Sequence, residues 1–386
     1  MAVLFVLFSH VGNAGMSLLP FPHDAIGKIG VWIFFSLSAF LLTRGLCEVL
    51  SRDGSPGRAL ISYGIHRVMR IYPLFVVVLL LHGLWGDISS SSIGRHLLLQ
   101  EGAAELWAIP VEFKYYLIVP LVALAAQQWP IRWVVRILLA GVLVSFGYGL
   151  ADPKAVFSIE LDLLPKITPF LLGSLLALRT IGQKPRAGQQ GSDRQSSGRQ
   201  SDVNLSDRTS GRNLSDRQVS GRHDQRDHEP WLARLLSPVG QVLLWSCFLA
   251  VTVLFRSMIK GYLPYDLASV MGALIALSAG GLIVVCLHPT WTAALLRTRP
   301  LVFLGEISFS LYLLHMFFVH AMERWGAGLP SIVQGWLVLA LCLPVSILTW
   351  RFIERPGIQA GRYLADKLNG LMPVSGVSPD GRAVGS

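Results

Sequence analysis

The chain has 386 residues, of which 52% are hydrophobic and only 15% charged, against about 25% charged in an ordinary soluble domain. A mean hydropathy of +0.53 excludes a disordered chain and argues against a soluble multidomain protein. The net charge of +10 would point to nucleic acid in a soluble protein, but here the basic residues fall between apolar blocks, where topology explains them.

Those blocks are about 20 residues long, enough to cross ~30 Å of hydrocarbon. Ten spans are predicted in chain order: 1–20, 29–48, 68–85, 106–126, 131–150, 161–178, 236–255, 264–287, 301–320 and 331–351. The expected fold is an all-α membrane protein, a bundle of about ten transmembrane helices with a disordered cytoplasmic insert. With a cytoplasmic N-terminus, the inner loops 44–70, 127–136, 179–232, 289–300 and the tail from 351 hold 24 Lys and Arg, and the outer loops hold 7. Leaving out the longest loop still gives 14 against 7. The positive-inside rule therefore predicts both termini in the cytoplasm, for a multi-pass protein of the plasma (inner) membrane.

The first span is short. Nine residues precede His10, and Gly12, Asn13 and Gly15 follow closely. A complete helix would need about ten more apolar residues upstream, so a longer natural N-terminus is expected. Segment 181–230 differs from the rest: SDRQSSGR (192–199), SDRTSGR (206–212) and SDRQVSGR (215–222) repeat, with 9 Lys and Arg against 7 Asp and Glu. Too few apolar residues lie there to offset the entropy of ordering, so a disordered linker is predicted. It divides a first bundle (1–180) from a second (231–356), with a cytoplasmic tail (357–386). Cys47, Cys247, Cys286 and Cys342 sit in or beside apolar blocks and form no CxxC pair. Neither a disulfide framework nor a metal site is expected.

Ionisable groups inside a span are costly and call for a reason. They are His10, Arg67 and Arg70 at the head of the third span, Glu112 with Lys114 in the fourth, and His315 in the ninth. Each has a structural alternative. His315 could bond a neighbouring helix, the arginines could snorkel as interfacial anchors, and Glu112 could pair with Lys114 or an arginine. Together they make chemical sense. Histidine is a general base near neutral pH, a carboxylate can support it, and paired guanidinium groups suit a phosphate-bearing ligand. A transporter of an anionic substrate could use the same groups.

Six stretches resemble the acyltransferase-3 family of integral membrane acyltransferases, in order and across nearly the whole chain. They are VWIFFSLSAFLLTR (31–44), HRVMRIYPLF (66–75), LWAIPVEFKYYLIVPL (106–121), ITPFLLGSLLA (167–177), and LGEISFSLYLLHMFFV (304–319) followed by LTWRFIERP (348–356). The resemblance implies transfer of an acyl group, often acetyl, from acyl-CoA to a hydroxyl of a carbohydrate or lipid-linked glycan. It implies no bound cofactor, no metal and no nucleic-acid partner, with the lipid bilayer as surroundings. Residue by residue, His10 and Glu112 match catalytic positions, and Arg67 and Arg70 match the acyl-donor site. His315, Tyr116 and Ser38 match positions that could line the cavity, whereas Tyr72, Pro73, Ser310 and Tyr312 read as structural. Ala39 replaces a glycine of the family pattern, where its methyl could crowd a close approach. Pro110 replaces a serine and is expected to bend the helix before Glu112. Lys114 replaces a glutamine.

Overall fold

A computed structural model describes residues 1–20, 22–52, 55–86, 88–182 and 230–371. Among these the fold is helical, with no strand. The helices are α1 (Ala2–Asn13), α2 (Gly27–Leu50), α3 (Pro56–Trp85), α4 (Ser90–Leu97), α5 (Ala108–Gln128), α6 (Ile131–Ala151), α7 (Pro153–Val156) and α8 (Thr168–Gly182). After the linker come α9 (Pro230–Leu236), α10 (Pro238–Ile259), α11 (Ala268–Leu287), α12 (Trp291–Leu296), α13 (Arg299–Glu306), α14 (Ser308–Trp325), α15 (Ser331–Thr349) and α16 (Arg355–Leu371).

Seven helical segments are long and apolar enough to cross a membrane alone: α2, α3, α5, α6, α10, α11, and α15 with its continuation. The pair α13 and α14, bent by 73° at Ile307, adds an eighth. Helices α1 (12 residues) and α8 (15 residues) are apolar but shorter. All ten spans read from the sequence thus overlap an apolar helix, yet by length the count is seven or eight rather than ten. The sixth span shows why: its first residues, with charged Lys166, form loop and a short 3₁₀ turn, Leu164–Lys166, before α8 starts. The predicted linker falls almost wholly outside the described residues. Many large apolar side chains remain exposed, among them Leu117 and Leu121 on α5 and Leu139 and Leu143 on α6. Outward-facing rows of this kind suit a multi-pass membrane protein, whose surroundings are as apolar as its core.

Helix α2 is the centre of the bundle and packs on α1, α5, α8 and α11. Its Phe35, fully buried, stacks on Phe170 of α8 at 4.3 Å between ring centroids. Interhelical hydrogen bonds add to this: Thr43 Oγ1 and Ser174 Oγ are 2.7 Å apart, and Tyr115 Oη and Ser174 Oγ 2.6 Å. Such bonds join helices in apolar surroundings. The methyl of Ala39, which the sequence marked as a source of crowding, is fully buried and faces Gly173 of α8. A β-carbon on Gly173 would run into the Ser36 carbonyl, so the space that one helix lacks is provided by the other.

The last helix docks beside the arginine helix. Pro73, inside α3, has no N–H for the Met69 carbonyl four residues earlier. Gly357 of α16 lies over that carbonyl: a β-carbon there would be 2.6 Å from Met69 O. Between α15 and α16 runs one π-helical turn, Trp350–Glu354, and buried Glu354 accepts a hydrogen bond from Ser310 Oγ of α14 at 2.9 Å. The stretches at 66–75, 304–319 and 348–356, far apart in sequence, therefore meet in one place.

Candidate active site

Helices α1 and α2 run antiparallel, with Ser9 against Gly27 and Val6 against Gly30. This pairing sets His10 level with the first turn of α2, which carries Lys28. From the other side α14 presents His315, buried to 1% exposure. His10 Nδ1 and His315 Nε2 are 2.7 Å apart. The ring planes differ by only 24° and the centroids lie 4.9 Å apart, the arrangement of two rings edge to edge, as a hydrogen bond in the ring plane requires.

The proton positions follow from the next partner. His315 Nδ1 lies 2.6 Å from the Tyr312 carbonyl. A carbonyl only accepts, so Nδ1 carries the hydrogen and neutral His315 offers its lone pair at Nε2. His10 must then donate from Nδ1, which leaves the lone pair of its own Nε2 unclaimed by this chain of bonds. That is the tautomer a general base needs.

A cavity of about 440 Å³ opens along α1, and neither histidine of the pair lines it. Arg67 and Arg70 of α3, Ser38 of α2, Glu112 and Tyr116 of α5, and Tyr312 of α14 line it, together with Val3 and Val6 of α1. Val6 and His10 are four residues apart and share a helix face, about 6 Å along the axis, so His10 stands one turn beyond the cavity wall. Tyr312 links the two regions: its side chain lines the cavity and its carbonyl holds His315.

Glu112, 4% exposed, accepts a hydrogen bond from Ser38 Oγ at 2.6 Å. Lys114 points elsewhere, to the Leu161 carbonyl at 2.6 Å. Pro110 stands in the first turn of α5, where its missing N–H has no helical partner to lose. Among the described residues no carboxylate comes within ion-pair distance of Arg67 or Arg70. Two guanidinium groups thus face the cavity without a direct ion pair, with Glu112 as the acidic side chain in the same lining.

The structure therefore sorts the residues singled out in the sequence into two groups. His10 and His315 form one. Ser38, Arg67, Arg70, Glu112 and Tyr116 form the other, so Glu112 sits with the arginines rather than against His10. Two groups near His10 were not singled out. Lys28 places its Nζ 4.1 Å from the Trp107 ring centroid. Glu105, in the 3₁₀ turn Ala104–Trp107, pairs with His82 of α3. Both lie at the edge of an apolar run, where charge reads as ordinary loop chemistry. Their one sequence signal is closeness to Trp107 and the first turn of α2. No group of three or more His, Cys, Asp or Glu that could hold a metal occurs among the described residues.

A family model described as an acyltransferase domain matches residues 1–351. No curated protein and no solved structure matches the chain.

Proposed function

Because the chain belongs to the acyltransferase-3 family, whose model covers most of its length, we propose that this membrane acyltransferase moves an acyl group from acyl-CoA to a hydroxyl. The acyl group is acetyl, and the acceptor is a carbohydrate or lipid-linked glycan. The donor enters from the cytoplasm, with its phosphates on Arg67 and Arg70 and its thioester arm in the cavity towards Tyr312. Unpaired guanidinium groups in a cavity of this size support that assignment, since they bind phosphate with parallel hydrogen bonds.

Chemistry takes place at His10. Its Nε2 accepts the proton of the acceptor hydroxyl as the oxygen attacks the thioester carbonyl carbon. The tetrahedral intermediate collapses, the C–S bond breaks, and the proton passes from His10 to the departing thiolate. An ester and a free thiol result. Ser38 and Glu112 hold the cavity wall between the phosphate end and the reacting end. One observation carries this reading: the bonds from His10 to His315 and from His315 to the Tyr312 carbonyl, which together fix a basic Nε2 on His10.

The test is label transfer from radiolabelled acetyl-CoA in membranes that express the protein with any natural upstream residues. Label is expected in glycan or lipid, released by hydroxylamine as oxygen esters are. Movement of a glycan across proteoliposomes without any labelling would instead favour a transporter.

A further inference from the structure

Proton transfer to His10 leaves a cation that needs a counter-charge. In the Ser-His-Asp arrangement a carboxylate behind the base supplies it. Behind His10 stand a second imidazole and then a peptide carbonyl, both neutral. Glu112 is engaged with Ser38 on the cavity wall shared with the arginines.

Glu105 is placed to fill this gap. It is 3% exposed, with Oε1 at 3.2 Å from His82 Nε2. Its Oε2 is buried with no hydrogen-bond partner, an arrangement that proteins rarely keep without a reason. The His82 ring is pressed against Phe317 of α14, 4.1 Å between centroids. The main-chain carbonyl of Glu105 accepts a hydrogen bond from the Tyr312 hydroxyl at 2.6 Å. The same Tyr312 holds His315, so the turn that carries Glu105 is tied to the histidine pair through α14.

We propose that Glu105 is a positioning residue for acyl transfer: its buried carboxylate, held by His82 and by the Tyr312 anchor, supplies the counter-charge for the imidazolium that forms on His10. This rests on the reading of His10 as the base. The groups that bear on His10 are Lys28 from α2, His315 and His320 from α14, and Glu105 from the turn before α5. Among them only Glu105 is acidic. Facing Glu105 are His82 of α3 and Tyr312 of α14.

Glu105→Gln keeps the size of the side chain and the main-chain bond to Tyr312. Two readouts are made on the full chain across pH: acyl transfer, and labelling of His10 by diethylpyrocarbonate followed by peptide mass analysis, which needs no turnover. The variant is expected to move the acidic limb of kcat and the midpoint of His10 labelling to lower pH by about one unit. Its plateau kcat should fall about tenfold, with the donor KM unchanged. Glu105→Asp, which keeps the charge, should retain most of the limb, and it decides the matter if the glutamine variant folds poorly. Superimposed labelling curves for wild type and Glu105→Gln would overturn the proposal. A labelling shift without acyl transfer in the wild type would support the charge coupling and reject acyl transfer instead.

Discussion

At the scale of single residues the proposed site rests on two histidines, of which only His10 is proposed to touch substrate. His315 fixes where the proton of His10 sits, and its own proton is fixed by a carbonyl. His315→Phe should therefore lower kcat about 10²-fold or more, within the usual range for general base catalysis. His315→Gln can still accept from His10 Nδ1 through its amide oxygen and should recover part of the loss. On the cavity side, Arg70→Gln should raise the donor KM about tenfold with a smaller change in kcat, as loss of a charged hydrogen bond would. Steady-state kinetics over acetyl-CoA concentration separate the two effects. His10, His315, Arg67, Arg70 and Glu112 stood out in the sequence because each is an ionisable group in or at the head of an apolar run. Their grouping did not, since it depends on which helix faces which. Glu105 and His82 were missed because both lie where apolar runs end, 23 residues apart, and only the fold brings them together.

At the scale of helices, contacts between backbones hold the site in place. Gly173 lets α8 approach Ser36 and Ala39 of α2. A larger side chain must push the two apart, and overpacking of this kind costs about 1–3 kcal/mol. Gly173→Leu is expected to lower the thermal unfolding temperature in detergent and to reduce yield. Gly357→Val should displace α16 from the Met69 carbonyl, next to Arg70, and so raise the donor KM with little effect on His10. Hydropathy found the apolar helices because ~30 Å of hydrocarbon demands a long apolar run. It could not find the 73° bend at Ile307 or the π-helical turn at Trp350–Glu354, since both are changes of helix direction or pitch, which a hydropathy average does not register. Helix α16 was also hidden: it is amphipathic and docks through Gly357 and Gly361, so by composition it reads as tail.

At the scale of the whole molecule the two halves of the bundle are joined near the His10–His315 pair. Asp24, in the α1–α2 connection, binds Arg256 at the end of α10 through Nη2 at 2.6 Å and Nε at 3.1 Å, and also pairs with Lys260. Partial burial works to raise the Asp24 carboxyl, but hydrogen bonds from Lys260 and Arg256 outweigh it and hold the group below its ordinary 3.8. A carboxylate held lower in the fold stabilises above its unfolded value, and the contribution disappears as pH falls through the folded value. Acid should thus loosen this clamp below about pH 4, and Asp24→Asn should remove that part of the pH dependence of thermal unfolding.

The clamp and the glycine contacts matter because they keep His10 beside His315, the pair on which acyl transfer is proposed to depend. The most direct measurement is the rate of label transfer from acetyl-CoA in membranes, wild type beside His10→Ala, at matched protein levels. A loss of about 10²–10⁴-fold is expected, with donor binding at Arg67 and Arg70 retained. Transfer at the wild-type rate in His10→Ala would contradict the assignment of His10 as the base.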